Sequence, residues 1–312
     1  MGGFEVAPLR ENIRLSVREF ALPVPRTGSI DAYSGLSGQQ ELGIEIHQEV
    51  QRERARELGD LYHPEHPIAG VVDSGKWRVE IVGRMDGLIL DDIPTLEEIK
   101  STPDIKELKR RLHSRHPYLL QLRTYGYLHF KATGQRPNLN LVLVSSRTRK
   151  WDEMEVDLDL PDLEIWVEER AAEVVRAAKL SRKTIKRRKT ESERMAFPFE
   201  RPRSGQLELI ATIEEGFATK KSLILQAPTG LGKTLGVLHP TLKDSLARGQ
   251  RTIYITPKNS QHQVAEEAAE LLRKSATGLR SLQMSAKSRI CMKEEPVCNP
   301  ALCEYARDHF TK

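Results

Sequence analysis

Three sets of side chains in this 312-residue sequence have types and spacings that can do chemistry. The first is Gly83-Arg84-Met85-Asp86-Gly87, with Glu98-Ile99-Lys100 beginning twelve residues after Asp86. On a strand of period two, Glu98 and Lys100 share one face. If the Asp86 strand pairs alongside, two carboxylates and an ammonium converge. Hard divalent cations such as Mg²⁺ or Mn²⁺ take oxygen ligands of this kind. Such an ion activates water at neutral pH and screens a phosphate under attack. A lysine beside it orients that water or stabilises developing charge. An isolated E-x-K triplet also fits a surface ion pair between Glu98 and a neighbour.

The second set is Ala227-Pro228-Thr229-Gly230-Leu231-Gly232-Lys233-Thr234. It lies between an apolar run at 223–226, expected as a strand, and a helical stretch to about residue 246. This is P-loop spacing with Ala in the first glycine position, in a strand–loop–helix context. Gly230 and Gly232 permit a tight turn that brings backbone N–H groups onto phosphate oxygens. Lys233 reaches the β- and γ-phosphates, Thr234 binds Mg²⁺, and the helix N-terminus favours the anion. ATP is the expected ligand. The third set is Cys291, Cys298 and Cys303, the only cysteines in the chain. Three soft thiolates this close point to a metal or cluster. The paired CxxC spacing typical of zinc is absent, and free cysteines are the alternative. An odd number at one end makes no disulfide framework, so a reducing, cytoplasmic setting is expected.

The elements that must position these residues are legible in part. With roughly 100–200 residues per domain, the length predicts about two domains. Charged residues make up 30% and hydrophobic residues 38%, which excludes collagen-like and wholly disordered classes. No run of about 18 apolar residues exists, so no membrane span is expected, and the N-terminus has no apolar signal region. Residues 39–57 have helical spacing of Leu42, Ile46 and Val50. Short strand-like pieces follow at 68–72, 77–82, 85–90 and 95–99, with turns read at 73–75, at Gly83 and at 91–94. A helix over 117–132, a strand over 139–144 and a closing helix over 162–178 complete an α/β domain of order α-β-β-β-α-β. From Arg176 to Lys189 there are eight basic residues and no acidic one. That run reads as a solvated linker or helix end, or as a polyanion contact. Breakers at Pro198, Pro202 and Gly205 place the boundary near 180–202.

Further residues extend the first set. His47 lies on the preceding helix in Gly43-Ile44-Glu45-Ile46-His47. Gln121 and Tyr125 lie at i, i+4 on the following helix and face one way. Together these resemble the RecB-type branch of the PD-(D/E)xK nucleases over about residues 39–150. The resemblance implies His47, Asp86, Glu98 and the Ile99 carbonyl as metal ligands. It implies Lys100 as the catalytic lysine, with Gln121 and Tyr125 near it and near DNA. Met85 stands where the name-giving Pro would be. Some relatives carry an iron–sulfur cluster in this domain, but residues 1–290 here hold no cysteine.

The A-P-T-G-x-G-K-T form resembles motif I of superfamily 2 helicases, here in a RecA-like βαβ unit. Arg203-Ser204-Gly205-Gln206 resembles their R-x-x-Q element, which implies that Gln206 contacts adenine. A second expected strand, 252–255, leads to Thr256-Pro257 and a polar helix with Gln263 and Glu267 on one face. This resembles motif Ia, with Thr256 near a single-stranded backbone. The cysteine segment, including its C-N-P-x-x-C-x-Y-A wording, resembles the iron–sulfur insertion of XPD/DinG-type helicases. That implies a 4Fe-4S cluster, with His309 or a later residue as fourth ligand. No D-E-A-H or D-E-x-D box follows Thr234, so the motor is expected to be incomplete, its remaining segment supplied by a longer chain or a partner.

The expected organisation is a nuclease domain over 1–180, a basic, Pro-containing linker over 181–202, and a partial ATP-binding helicase domain over 203–312 with its iron–sulfur segment at 285–312. The expected partners are ATP and single-stranded or forked DNA. The expected activity is Mg²⁺- or Mn²⁺-dependent phosphodiester hydrolysis. The alternatives are a helicase fragment whose first domain only binds DNA, and a binding adaptor that turns over neither DNA nor ATP.

Overall fold

The computed structural model describes residues 11–22, 30, 39–219, 222–258, 260–293 and 303–310. The chain forms two compact units, one of residues 1–177 with 295–312 and the other of 178–294. Among the described residues, no helix is long and apolar enough to cross a membrane.

The first unit is mixed α/β around a mixed six-stranded sheet. Strand β1 (Glu11–Ser16) runs straight into α1 (Val17–Ala21), where Ser16 and Glu19 form a reciprocal capping box. Helix α2 (Gln39–Leu58) follows, then β2 (Tyr62–Ser74), β3 (Trp77–Ile89) and β4 (Thr95–Thr102). Next come α3 (Ile105–Arg111), α4 (Pro117–Thr133), β5 (Asn138–Ser145), β6 (Trp151–Glu155) and α5 (Leu160–Arg194). The α-β-β-β-α-β order is present as α2-β2-β3-β4-α4-β5. The elements β1, α1, α3 and β6 were not foreseen.

Alternation along β4 assigns the two faces of the sheet. Ile99 is fully buried with Ile46 and Val50 of α2 and Val142 and Val144 of β5, so that face belongs to α2. Each such aliphatic contributes about 1.5–3 kcal/mol when fully buried. Glu98, one residue away, faces the opposite layer and meets Gln121 of α4. Pro117 at the first turn and Gly134 in the left-handed C-cap bound α4 as their residue types demand.

Two expectations, about Gly83 and about the end of α5, are corrected. Gly83 is no turn, because β3 runs unbroken from Trp77 to Ile89. Its glycine serves close packing: a Cβ there would lie 2.8 Å from Tyr125 Cε1 and 2.9 Å from Val17 Cγ2. The closing helix does not stop at 178. No Gly or Pro occurs between Asp162 and Phe197, so α5 carries the basic run on to Arg194. Residues 181–194, read as linker, are therefore helical.

In the second unit, α6 (Gln206–Ala218), α7 (Lys233–Ala247), α8 (Ser260–Arg273) and the short α9 (Lys287–Ile290) follow α5. Leu235, Leu238, Leu246, Leu272 and Leu279 gather into its core with Met195. The expected strands at 223–226 and 252–255 are not formed; both segments are without ladder pairing. A buried parallel strand needs neighbours for its backbone and both faces. Here Ile224 is 100% exposed and Ile253 85% exposed.

Candidate active site

The pairing around β3 leaves a notch. Strand β2 pairs antiparallel with β3 over most of its length. The parallel partner β1 covers β3 only to Val82, and the antiparallel partner β4 covers it only from Gly87 to Ile89. Residues 83–86 thus pair with neither β1 nor β4. Asp86 stands at the fork, where its Oδ2 accepts the Ile99 N–H at 2.7 Å. N–H and C=O of one residue point to the same edge of a strand, so the Ile99 carbonyl faces the notch too.

The notch joins groups from both faces of the sheet. From the α2 side, His47 Nδ1 lies 3.5 Å from Asp86 Oδ1. From the α4 side, Gln121 Nε2 donates to Glu98 Oε1 at 2.7 Å and reaches the Tyr125 hydroxyl at 3.5 Å. Tyr125 donates to the Arg84 carbonyl at 2.8 Å. Lys100 Nζ pairs with the same Glu98 oxygen and lies 5.1 Å from the centroid of the Tyr118 ring. Of the six residues expected to act together, His47 contacts Asp86, Lys100 and Gln121 contact Glu98, and Tyr125 joins through Gln121; Asp86 reaches the Glu98 strand through the Ile99 N–H.

Burial sets the electrostatics. Glu98 is 2% exposed. Loss of water pushes its carboxyl up to about 7, with Lys100 opposing the shift and Asp86 adding to it. Burial works against the Lys100 charge, but Glu98 and Asp86 outweigh it and hold the ammonium above its ordinary range. Burial, then the Glu98 charge, raises the Tyr125 phenol, which stays a donor.

The donor set suits a hard divalent cation: one imidazole, two carboxylates and a free carbonyl edge. Glu98 Oε2 is buried without a protein partner, which leaves an oxygen open to a cation. Among the described residues, however, no three His, Cys, Asp or Glu side chains converge closely enough to hold an ion as they stand. Glu98 Oε1 is turned onto Lys100 and Gln121, and Asp86 Oδ2 onto Ile99.

Several residues around the notch carried no sequence signal. Glu97 is fully buried on the α2 side, where Arg54 Nη2 bonds its Oε1 at 3.0 Å and Asn140 Nδ2 at 2.9 Å. Gln51 donates to the Asp86 carbonyl at 2.8 Å. Arg54 and Glu97 are 43 residues apart in sequence, so no local spacing betrays them.

In the second unit, Gly230 and Gly232 take φ of 85° and 80°, which glycine adopts without strain. A Cβ at Gly232 would lie 2.6 Å from Gln206 Nε2. Gln206 is 2% exposed, accepting from the Arg203 N–H at 3.0 Å and donating to the Gly232 carbonyl at 3.1 Å. It braces the loop here. Lys233 Nζ donates to the Pro228 and Ala227 carbonyls at 2.8 and 3.1 Å, at the start of α7. Thr234 follows in its first turn. Residues 203–296 match the DEAD/DEAH box helicase family. A curated relative, "Probable ATP-dependent helicase MJ0942" of Methanocaldococcus jannaschii, is 35% identical over 75 residues. That match covers 24% of this chain and 12% of the relative.

Solved structures align with weak overall similarity, SSO0001 and the exonuclease LHK-Exo among them. SSO0001 has a TM-score of 0.37 at 16% identity, covering 55% of this chain and 79% of its own. The alkaline exonuclease LHK-Exo from Laribacter hongkongensis has a TM-score of 0.32 at 18% identity, covering 55% and 94%. Neither reaches the level at which a shared fold follows.

Of the cysteine set, Cys298 lies outside the described residues. Cys291 is partly buried and Cys303 buried, both as free thiols. His309 Nδ1 lies 3.2 Å from the Tyr305 carbonyl.

Proposed function

We propose that the first unit is a metal-dependent nuclease joined to an ATP-binding segment of a DNA helicase. The observation that carries the nuclease reading is the notch: Asp86 bonds the Ile99 N–H beside Glu98 at a strand fork, Lys100 pairs with Glu98, and one buried Glu98 oxygen is unpartnered. His47, Asp86, Glu98 and the Ile99 carbonyl would hold Mg²⁺ or Mn²⁺. The ion would supply Lewis acidity and an activated water for phosphodiester hydrolysis. The chain's own groups do the rest. Lys100 places a positive charge beside a phosphate oxygen as negative charge develops. Gln121 orients the Glu98 carboxylate, and Tyr125 fixes the strand at Arg84.

For the second unit, the P-loop residues Gly230, Gly232, Lys233 and Thr234 would cradle ATP and its Mg²⁺, with Gln206 bracing the loop. The helicase-family match over 203–296 supports this reading. Thr256 would touch DNA backbone, and Cys291, Cys298 and Cys303 would bind a 4Fe-4S cluster completed by a fourth ligand. The basic face of α5 would grip phosphates of single-stranded or forked DNA.

One observation favours the alternative, a first unit that binds DNA without cutting it: both candidate carboxylates already have internal partners. Incubating the full chain with labelled single-stranded, duplex and forked DNA in Mn²⁺, Mg²⁺ or EDTA decides between them. Metal-dependent cutting that EDTA stops is expected. Binding without cutting by folded, Mn²⁺-loaded protein would leave the binding reading in its place.

A further inference from the structure

Gln51 sits one helical turn beyond His47 on α2, and its side-chain amide reaches two strands at once. Its Nε2 donates to the Asp86 carbonyl at 2.8 Å and to Glu65 Oε1 at 3.1 Å. The pairing of β2 with β3 is interrupted there. Pro64 pairs with Gly87 and His66 with Met85, but the intervening Glu65 and Asp86 do not pair. Glu65 has φ of 51°, a left-handed conformation that a side-chain-bearing residue rarely takes within a strand. It is also an exposed residue, so burial of its side chain does not explain the strain. Strain of this kind persists only where the surroundings over-determine it. Here regular pairing resumes on both sides, and the carboxylate is held by Gln51.

We propose that Gln51 and Glu65 are positioning residues for Asp86, a role that rests on the metal-dependent reading of the notch. Helix α2 fastens Asp86 twice, at its carboxylate through His47 and at its carbonyl through Gln51. Pinning the carbonyl fixes the peptide plane after Asp86, and with it the direction in which the carboxylate leaves a strand that lacks a β1 or β4 partner at that point. Glu65 accepts the second N–H of the Gln51 amide and keeps that amide aimed. The strained backbone of Glu65 delivers its carboxylate to Gln51.

The test is a Mn²⁺ titration of the full chain, read by the spin-resonance signal of bound and free ion, with thermal unfolding alongside. Gln51→Glu is isosteric but loses the donor, and Gln51→Met loses both hydrogen bonds. Each should weaken Mn²⁺ binding about tenfold, the lower end for residues that orient ligands, while the unfolding temperature changes little. Glu65→Gln keeps an acceptor and should bind Mn²⁺ like wild type. Glu65→Gly relieves the backbone, so it should unfold at a higher temperature yet bind Mn²⁺ as poorly as Gln51→Met. A purely structural pair would leave the affinity unchanged. If wild type binds Mn²⁺ and cleaves, but the Gln51 variants and Glu65→Gly bind equally well, the positioning role is overturned and the nuclease reading stands. If wild type binds no Mn²⁺, both fall.

Discussion

Asp86 Oδ2 accepts the Ile99 backbone N–H at 2.7 Å, joining two strands just beyond the end of their ladder. A side chain therefore takes the place of a strand neighbour, and the same carboxylate is the one His47 approaches. On the proposed reading Asp86 has two separable duties, a brace and a charge. Asp86→Asn keeps an acceptor for Ile99 and should melt close to wild type, with cleavage down about 10²-fold from the lost charge. Asp86→Ala removes both and should also melt lower, by the roughly 1–3 kcal/mol of an unsatisfied buried donor. Thermal unfolding and cleavage rates on both variants check this. Equal stability of the two would deny the brace.

Gly83 tests the close packing behind the notch. A methyl group there meets the Tyr125 ring and Val17, and both are buried. Gly83→Ala should cost about 1–3 kcal/mol through overpacking. It should also reduce cleavage, because Tyr125 is displaced from Arg84. Denaturant unfolding measures the first effect. A variant as stable as wild type would show that the sheet yields at this point.

Much of the first unit was readable because its signals are local. The period-two placement of Glu98 and Lys100, the i, i+4 pair Gln121 and Tyr125, and the apolar stripe Leu42, Ile46 and Val50 all depend on neighbours within a few residues. The misreadings have the opposite cause. Gly83 looked like a turn because glycine serves turns and close approaches alike, and only the tertiary structure shows Tyr125 and Val17 against it. Gln51, Glu65 and the Arg54–Glu97 pair answer to partners far along the chain. The apolar runs at 223–226 and 252–255 have strand composition, but a parallel strand exists only with its neighbours.

The basic face of α5 predicts salt-dependent DNA binding. Lys179, Lys183 and Lys186 are exposed and recur at i, i+4 and i+7, along one side of the helix. Replacing all three with Gln should weaken single-stranded DNA binding. It should also flatten the slope of log affinity against log salt by about two, at roughly 0.7 per lost phosphate contact. Fluorescence anisotropy across a salt series measures it. An unchanged slope would mean that this face is merely solvated.

His239 predicts acid sensitivity in the second unit. It is 6% exposed, packs edge-on against Phe197, and neither ring nitrogen is hydrogen-bonded. Burial holds its pKa below the ordinary 6.5; Lys243 adds to the shift, while Glu214 and the nearby Met195 backbone oppose it. Below pH 6.5 the unfolded chain therefore takes up a proton that the folded chain refuses, so this contribution to stability is present above 6.5 and declines as pH falls toward the folded value. Unfolding temperature should drop between pH 7.5 and 5.5, and His239→Leu should lose part of that dependence. An identical pH profile in the variant would contradict it.

The most direct test of the notch as a nuclease centre is Mn²⁺-dependent cleavage by wild type and Lys100→Ala, with Mn²⁺ binding measured on the same samples. Lys100 is assigned to the phosphate and not to the ion. The account predicts that the variant still binds Mn²⁺ while its cleavage falls about 10²-fold or more. Equal cleavage by both proteins, or no cleavage by a Mn²⁺-loaded wild type, would contradict it.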